Sequence, residues 1–201
     1  MDARDLFLRE HARAHSSAMS GDVDMPFTDF IFGLGDEQMR QCPPGTNSLA
    51  WILWHMARSE DMGVNLVVAG RPQVIETGDW MAKLGLSRVD IGTGMSDDEV
   101  SDFTSSVDIA VIREYRDAVG RRTREAVAAL APDEWLQPID TALLARAFDE
   151  GAIGSGGAWL RGFIDGKTKE FLLAHVSVRH NFMHIGEAMT VRSFAGQPLG
   201  V

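Results

Sequence analysis

The chain has 201 residues, 45% of them hydrophobic and 24% charged, an ordinary globular mixture that excludes a disordered, collagenous or disulfide-scaffold protein. Its 19 Lys and Arg stand against 29 Asp and Glu, a formal charge of -10, which speaks against a phosphate backbone as partner. No apolar run approaches the roughly 20 residues of a membrane span, and the single Cys42 excludes an internal disulfide. The early run Leu6-Phe7-Leu8 is closed by Arg9 and Glu10, which is not a signal-peptide pattern. A cytoplasmic protein of one domain, residues 1–201, with neither nucleic acid nor membrane as partner, is the expectation.

The apolar spacing is helical nearly throughout, with no period-two run between turn residues. A first helix is expected over 3–20, with Gly21 as its stop. Phe27, Phe30, Ile31, Phe32 and Leu34 follow and should cover one end of the core. Pro43, Pro44 and Gly45 then break the chain. Thr46 or Asn47 offers a cap oxygen, and a second helix runs from Ser48 to Ala69, ended by Gly70 and Pro72.

Residues 71–105 read as a connection with short helical pieces, one opened by the capping box Ser96 to Glu99. A third long helix starts near Asp108 and stops before Pro132. Ile112, Tyr115, Val119, Ala126 and Leu130 mark its buried face, and Gly120 inside it costs about 1 kcal/mol relative to alanine. The stretch from Pro132 to Gly166 reads as a long, glycine-rich and mobile loop, either a functional element or a surface excursion. The last helix spans Thr168 to Ser193. Four long helices with short extra ones make an all-α bundle.

Six histidines are present, and two pairs have i,i+4 spacing, His11/His15 and His180/His184. Four residues turn a helix by about 400°, so each pair shares a face and is able to chelate one metal ion. With about 100° per residue, His184 falls near +40° of His180, Glu187 near -20° and His175 near -140°. On a regular helix His175 therefore cannot join the pair. Its own side carries Phe171, Val178, Phe182 and Met189, so the last helix should be covered on two faces, by the chain or by a second subunit.

On the second helix His55 lies in an apolar stripe with Trp51, Ile52 and Met62, while Glu60, Asp61 and Val64 point elsewhere. An inward His55 facing His180 and His184 makes a three-nitrogen site in a bundle core. From spacing alone, hydrogen-bonded core or interface histidines are the more usual reading of such a pattern. The pair His11/His15 sits among Arg9, Glu10 and Arg13 and reads as a solvated face. Cys42 reads as a small buried apolar residue, without a positioned base to make it a nucleophile.

The segment Leu49-Ala50-Trp51-Ile52-Leu53-Trp54-His55-Met56-Ala57-Arg58-Ser59-Glu60-Asp61, followed far downstream by His180-Asn181-Phe182-Met183-His184-Ile185-Gly186-Glu187, resembles the DinB-like (YfiT-type) superfamily of metal-dependent enzymes. The resemblance covers essentially the whole chain. It implies an up-down-down-up four-helix bundle, commonly a homodimer, and a zinc or nickel ion bound by His55, His180 and His184. It further implies a metal-dependent transferase of thiol S-transferase or isomerase type, or a hydrolase. A low-molecular-weight thiol such as mycothiol or bacillithiol, or else water, would attack a small-molecule electrophile. A non-catalytic metal- or ligand-binding bundle is the alternative. Trp51, Ile52, Ser59 and Met62 are then the candidate pocket lining, and Glu187 a candidate catalytic base or orienting group. Glu187 stands where relatives often carry Gln, and the 132–166 connection is longer than a simple bundle needs.

Overall fold

The computed structural model of the chain describes residues 2–20 and 27–198. Four long helices form the expected all-α bundle, and short helices fill the connections. They are α1 (Ala3–Ala14), α2 (Leu49–Glu60, continuing as a π-helical stretch Asp61–Val68), α3 (Ile109–Ala129) and α4. The last is built of Lys169–Ala174, a π-helical turn His175–Arg179 and His180–Phe194. Among the described residues the one β-type pairing is an isolated bridge between Pro138 and Thr168. No helix there is long and apolar enough to cross a membrane.

Local chemistry sets the helix ends. Asp2 caps α1 by accepting from Asp5 N. The first helix is shorter than its expected span, because His15 is extended (φ -115°, ψ -173°) and the chain resumes as a separate turn, Ser17–Ser20. Gly21, its expected stop, lies outside the described residues. The cap of α2 is Ser48, whose hydroxyl accepts from Trp51 N; it is neither Thr46 nor Asn47. Gly70 closes that helix at φ +61°, a left-handed angle that favours glycine. Ser96 and Glu99 form the expected capping box of the helix Asp97–Ser106.

Every residue of α2 from Leu49 to Val68 is buried. It packs on α3 along one side and on α4 along another, while α1 lies against α3 and the π-helical turn of α4. One apolar cluster gathers Leu49, Ile52, Leu53 and Trp54 with Ile112, Tyr115, Val119 and Ile185. A second gathers Met62, Leu66 and Val67 with Phe7, Val127, Leu144 and Leu172. The five apolar positions named on the third helix are all buried, and Ile31 and Phe32 join the first cluster from the short helix Phe27–Phe32.

Three further expectations are corrected. Residues 132–166 are not a mobile loop: they fold into the helices Thr141–Asp149 and Leu160–Ile164 with a 3-10 turn between. Gly156 serves close approach there, since a Cβ on it would stand 2.7 Å from Thr93 O. His11 and His15 are not solvated but wholly buried, because α1 turns this face onto Glu60. Glu60 and Asp61 do lie off the His55 stripe, yet both are fully buried, since neighbours surround α2 on every side. Cys42 is exposed, its thiol donating to Thr46 O at 3.0 Å.

Candidate metal centre

His55 sits at mid-length on α2, where the packing of α2 against α4 presents it to His180 and His184. One ring nitrogen from each of the three lies within 4.8 Å of the others. The ring centroids are 5.0 Å apart for His55–His180, 4.8 Å for His55–His184 and 4.4 Å for His180–His184. Nε2 of His180 and Nε2 of His184 stand 3.1 Å apart.

The other ring nitrogens determine which way the lone pairs point. His55 Nδ1 donates to Ile91 O at 2.5 Å, which leaves its Nε2 as the lone-pair nitrogen. His184 Nδ1 donates to Glu187 Oε2 at 2.6 Å, which does the same for that ring. Glu187 is steadied by Asn47 Nδ2, which donates to its Oε1 at 3.0 Å. A carboxylate behind a histidine is the arrangement that orients metal-ligating imidazoles and raises their basicity. His180 Nδ1 is buried with no hydrogen-bond partner.

Electrostatics favour neutral rings. Burial, with the neighbouring His184 adding to it, pushes the pKa of His55 down to about 4. Burial, then His55 and His184, carries His180 well below the ordinary histidine value. Burial works to raise the Glu187 carboxyl, but hydrogen bonds from His184 and Asn47 outweigh it and hold the group below its usual range. Two neutral imidazoles and an ionised carboxylate behind a third are the protonation states metal binding needs.

The candidate lining is placed unevenly. Trp51 stacks on His55 with centroids 4.7 Å apart and planes 10° from parallel, and its Nε1 reaches Met95 Sδ at 3.1 Å. Ile52 is wholly buried in the first apolar cluster, and Met62 belongs to the second. Ser59 is buried one turn beyond His55 and its hydroxyl has no hydrogen-bond partner. His175 lies nearer than a regular helix allows, its ring centroid 5.7 Å from that of His180. In a π-helical turn residue i bonds to i+5, so residues five apart come into line. Phe163 and Phe171 flank the His175 ring on its other sides. Phe182 of that face packs edge-on against Phe27, whereas Met183 and Phe194 are each 67% exposed.

Asn47 and the Ile91 carbonyl were not identified from the sequence. Nothing in a spacing rule marks a loop carbonyl, and Asn47 reads there as a cap residue.

The family model of the DinB superfamily matches residues 27–188. Among solved structures, the chain is similar to a conserved protein of a locus from Enterococcus faecalis, with a TM-score of 0.68 at 17% identity. The likeness covers 98% of this chain and 99% of that one, and at such identity it speaks for the fold alone. Comparison with curated proteins gives no match.

Proposed function

The chain belongs to the DinB superfamily, and from that premise we propose that it is a metal-dependent enzyme holding one zinc or nickel ion on His55, His180 and His184. The observation that carries the reading is the convergence of three ring nitrogens within 4.8 Å, two of them with Nδ1 already engaged. A divalent ion bound there supplies Lewis acidity, which lowers the pKa of a thiol or water ligand so that it is nucleophilic at neutral pH. The leading reaction is transfer of a low-molecular-weight thiol, of mycothiol or bacillithiol type, to a small electrophile.

The residues around the site have separable tasks. Ile91 O and Glu187 set the tautomers of His55 and His184, so that Nε2 faces inward on both. Trp51 covers one face of His55 and keeps water from it. Glu187 hydrogen-bonds behind His184 instead of joining the three nitrogens, which supports a site with a position left for substrate over a closed structural one. Its Oε1, which accepts from Asn47 Nδ2, would be a candidate acceptor for the proton of a thiol or water. The exposed Met183 and Phe194 on α4 support a homodimer contact, and the lone Cys42 supports a cytoplasmic setting for a single domain spanning 1–201.

Metal content by elemental mass spectrometry, on untagged protein beside His180→Ala, tests the site. His180→Ala is expected to carry one zinc or nickel ion per chain fewer than the wild type. Turnover of a generic electrophile with each thiol by the loaded protein then separates enzyme from binding module. No metal in the wild type after incubation with excess zinc would end the proposal.

A further inference from the structure

A second group of ligand-type side chains lies outside the three-histidine site. His11 and His15, at the end of α1, face Glu60, the last residue of the regular part of α2. One ligand atom from each lies within 4.8 Å of the other two, and all three residues are 0% exposed. His11 Nε2 is 2.8 Å from Glu60 Oε1, and His15 Nε2 is 4.0 Å from Oε2.

Three features exceed what a hydrogen-bonded core requires. Among the described residues, the cation-forming groups within 4.0 Å of the fully buried Glu60 carboxylate are two histidines, while the Arg116 charge acts on it from beyond contact. His15 Nε2 is buried and has no hydrogen-bond partner, which a dry interior rarely tolerates. And α3 carries Gly120 in mid-helix, where a Cβ would stand 2.6 Å from His15 Cε1 and 2.7 Å from its Nε2. The helix gives up about 1 kcal/mol of propensity at that position, and the space gained is filled by the His15 ring.

We propose that His11, His15 and Glu60 form a second metal site, holding a zinc-class divalent ion on three protein ligands and so fastening α1 to α2. Two imidazoles and a carboxylate suit zinc and its transition-metal neighbours and do not suit magnesium or calcium, which take oxygen ligands. To ligate an ion, His11 Nε2 would give up the hydrogen it donates to Glu60 Oε1, the ring carrying it on Nδ1 instead. Both ligating rings then carry their hydrogen on Nδ1.

For His15 an acceptor is at hand. Ser16 Oγ lies 3.3 Å from Nδ1 and is held in place by donating to Asp117 Oδ1. The Ser16 N–H, which donates to Nδ1 at 2.9 Å, would then have to turn to another acceptor. His11 Nδ1 is without a partner now and stays so. The carboxylate is oriented by Thr123 Oγ1, donating to Oε1 at 2.7 Å, and Asn181 Nδ2, donating to Oε2 at 3.2 Å. Burial, then the charge of Arg116, hold His15 well below the ordinary histidine pKa and so neutral. The same Arg116 charge opposes a dication, which again selects an ion with strong bonds to imidazole.

The test counts zinc per chain by elemental mass spectrometry after saturation and gel filtration of untagged protein. Two per chain are expected in the wild type, one in His55→Ala/His180→Ala/His184→Ala and one in Glu60→Gln. A folded triple variant without zinc, or Glu60→Gln that keeps both ions, overturns the second site. A triple variant that keeps as much zinc as the wild type while Glu60→Gln loses one overturns the three-histidine site instead. Should Glu60→Gln not fold, His11→Phe replaces it, since a phenyl ring keeps the stack on Phe7 (5.9 Å) without a nitrogen. If neither folds, X-ray absorption on the zinc-loaded triple variant decides: two imidazoles with oxygen ligands support the site, and any other set overturns it.

Discussion

Glu187 Oε2 accepts from His184 Nδ1 at 2.6 Å, one helical turn along α4. The contact fixes which nitrogen of His184 faces His55 and His180. Removing a carboxylate behind a ligating imidazole costs roughly 10- to 100-fold in metal affinity. Glu187→Ala is expected to fall in that range. Glu187→Gln should fall less, because an amide oxygen still accepts from Nδ1, while its NH2 group meets Asn47 Nδ2 donor to donor. Competition with a chromophoric zinc chelator reads both. Equal affinity in wild type and Glu187→Ala would remove the orienting role.

A different carboxylate holds the fold beside the site. Asp61 accepts from Val74 N and Asn65 Nδ2 on Oδ1, and from Ile75 N, Tyr115 OH and Arg58 Nη1 on Oδ2, at 2.5–3.1 Å. Arg58 in turn donates to Val89 O at 2.6 Å, two residues before the carbonyl that orients His55. Asp61→Asn strands a buried guanidinium, and breaking such a pair costs about 3–5 kcal/mol. Tyr115→Phe keeps the pair and should cost only about 1–2 kcal/mol. Urea unfolding monitored by tryptophan fluorescence ranks the two. An Asp61→Asn loss below that of Tyr115→Phe would contradict the assignment.

The part of the site that follows helical period was legible, and the part made by surroundings was not. His55, His180 and His184 lie on apolar stripes of two helices that pack together, and their convergence follows that spacing. Ile91 O reaches His55 from a loop whose path no local pattern encodes. His175 was set on the far side by a regular 3.6-residue period, and the π-helical turn moves it beside His180. The burial of Glu60 did carry a signal. Between Leu49 and Val68 the charged residues are Arg58, Glu60 and Asp61, a poverty that marks a helix enclosed on all sides. Read that way, three adjacent charges must find partners inside, and His11 and His15 are the partners of one of them.

Gly120→Ala sets two effects against each other. Helix propensity favours alanine by about 1 kcal/mol. Overpacking in a filled core costs typically about 1–3 kcal/mol, and here the new Cβ meets the His15 ring at 2.6 Å and Met19 Sδ at 2.9 Å. His15 has no room to retreat, being wholly buried and tied to Ser16. Net destabilisation is expected, read as a lower urea midpoint at unchanged slope. A raised midpoint would mean that the ring yields freely.

Acid should unfold the metal-free protein earlier than carboxylates alone would bring about. The His55 pKa is about 4 in the folded chain against 6.5 as its ordinary value. Between those two values the unfolded chain binds a proton that the folded one refuses, so stability rises with pH across the window and is lost as pH falls through it. A shift of this size corresponds to roughly 3 kcal/mol, gained in full above the unfolded value. His180 and His15 are shifted in the same direction by the same burial, which steepens the slope. Urea unfolding of chelator-treated protein from pH 7.5 to 4.5 should therefore show a steady decline below about pH 6.5. His55→Gln should flatten it, since a neutral amide takes up no proton in either state. A slope unchanged by that variant would mean that His55 titrates normally in the fold and that its burial does not hold the ring neutral.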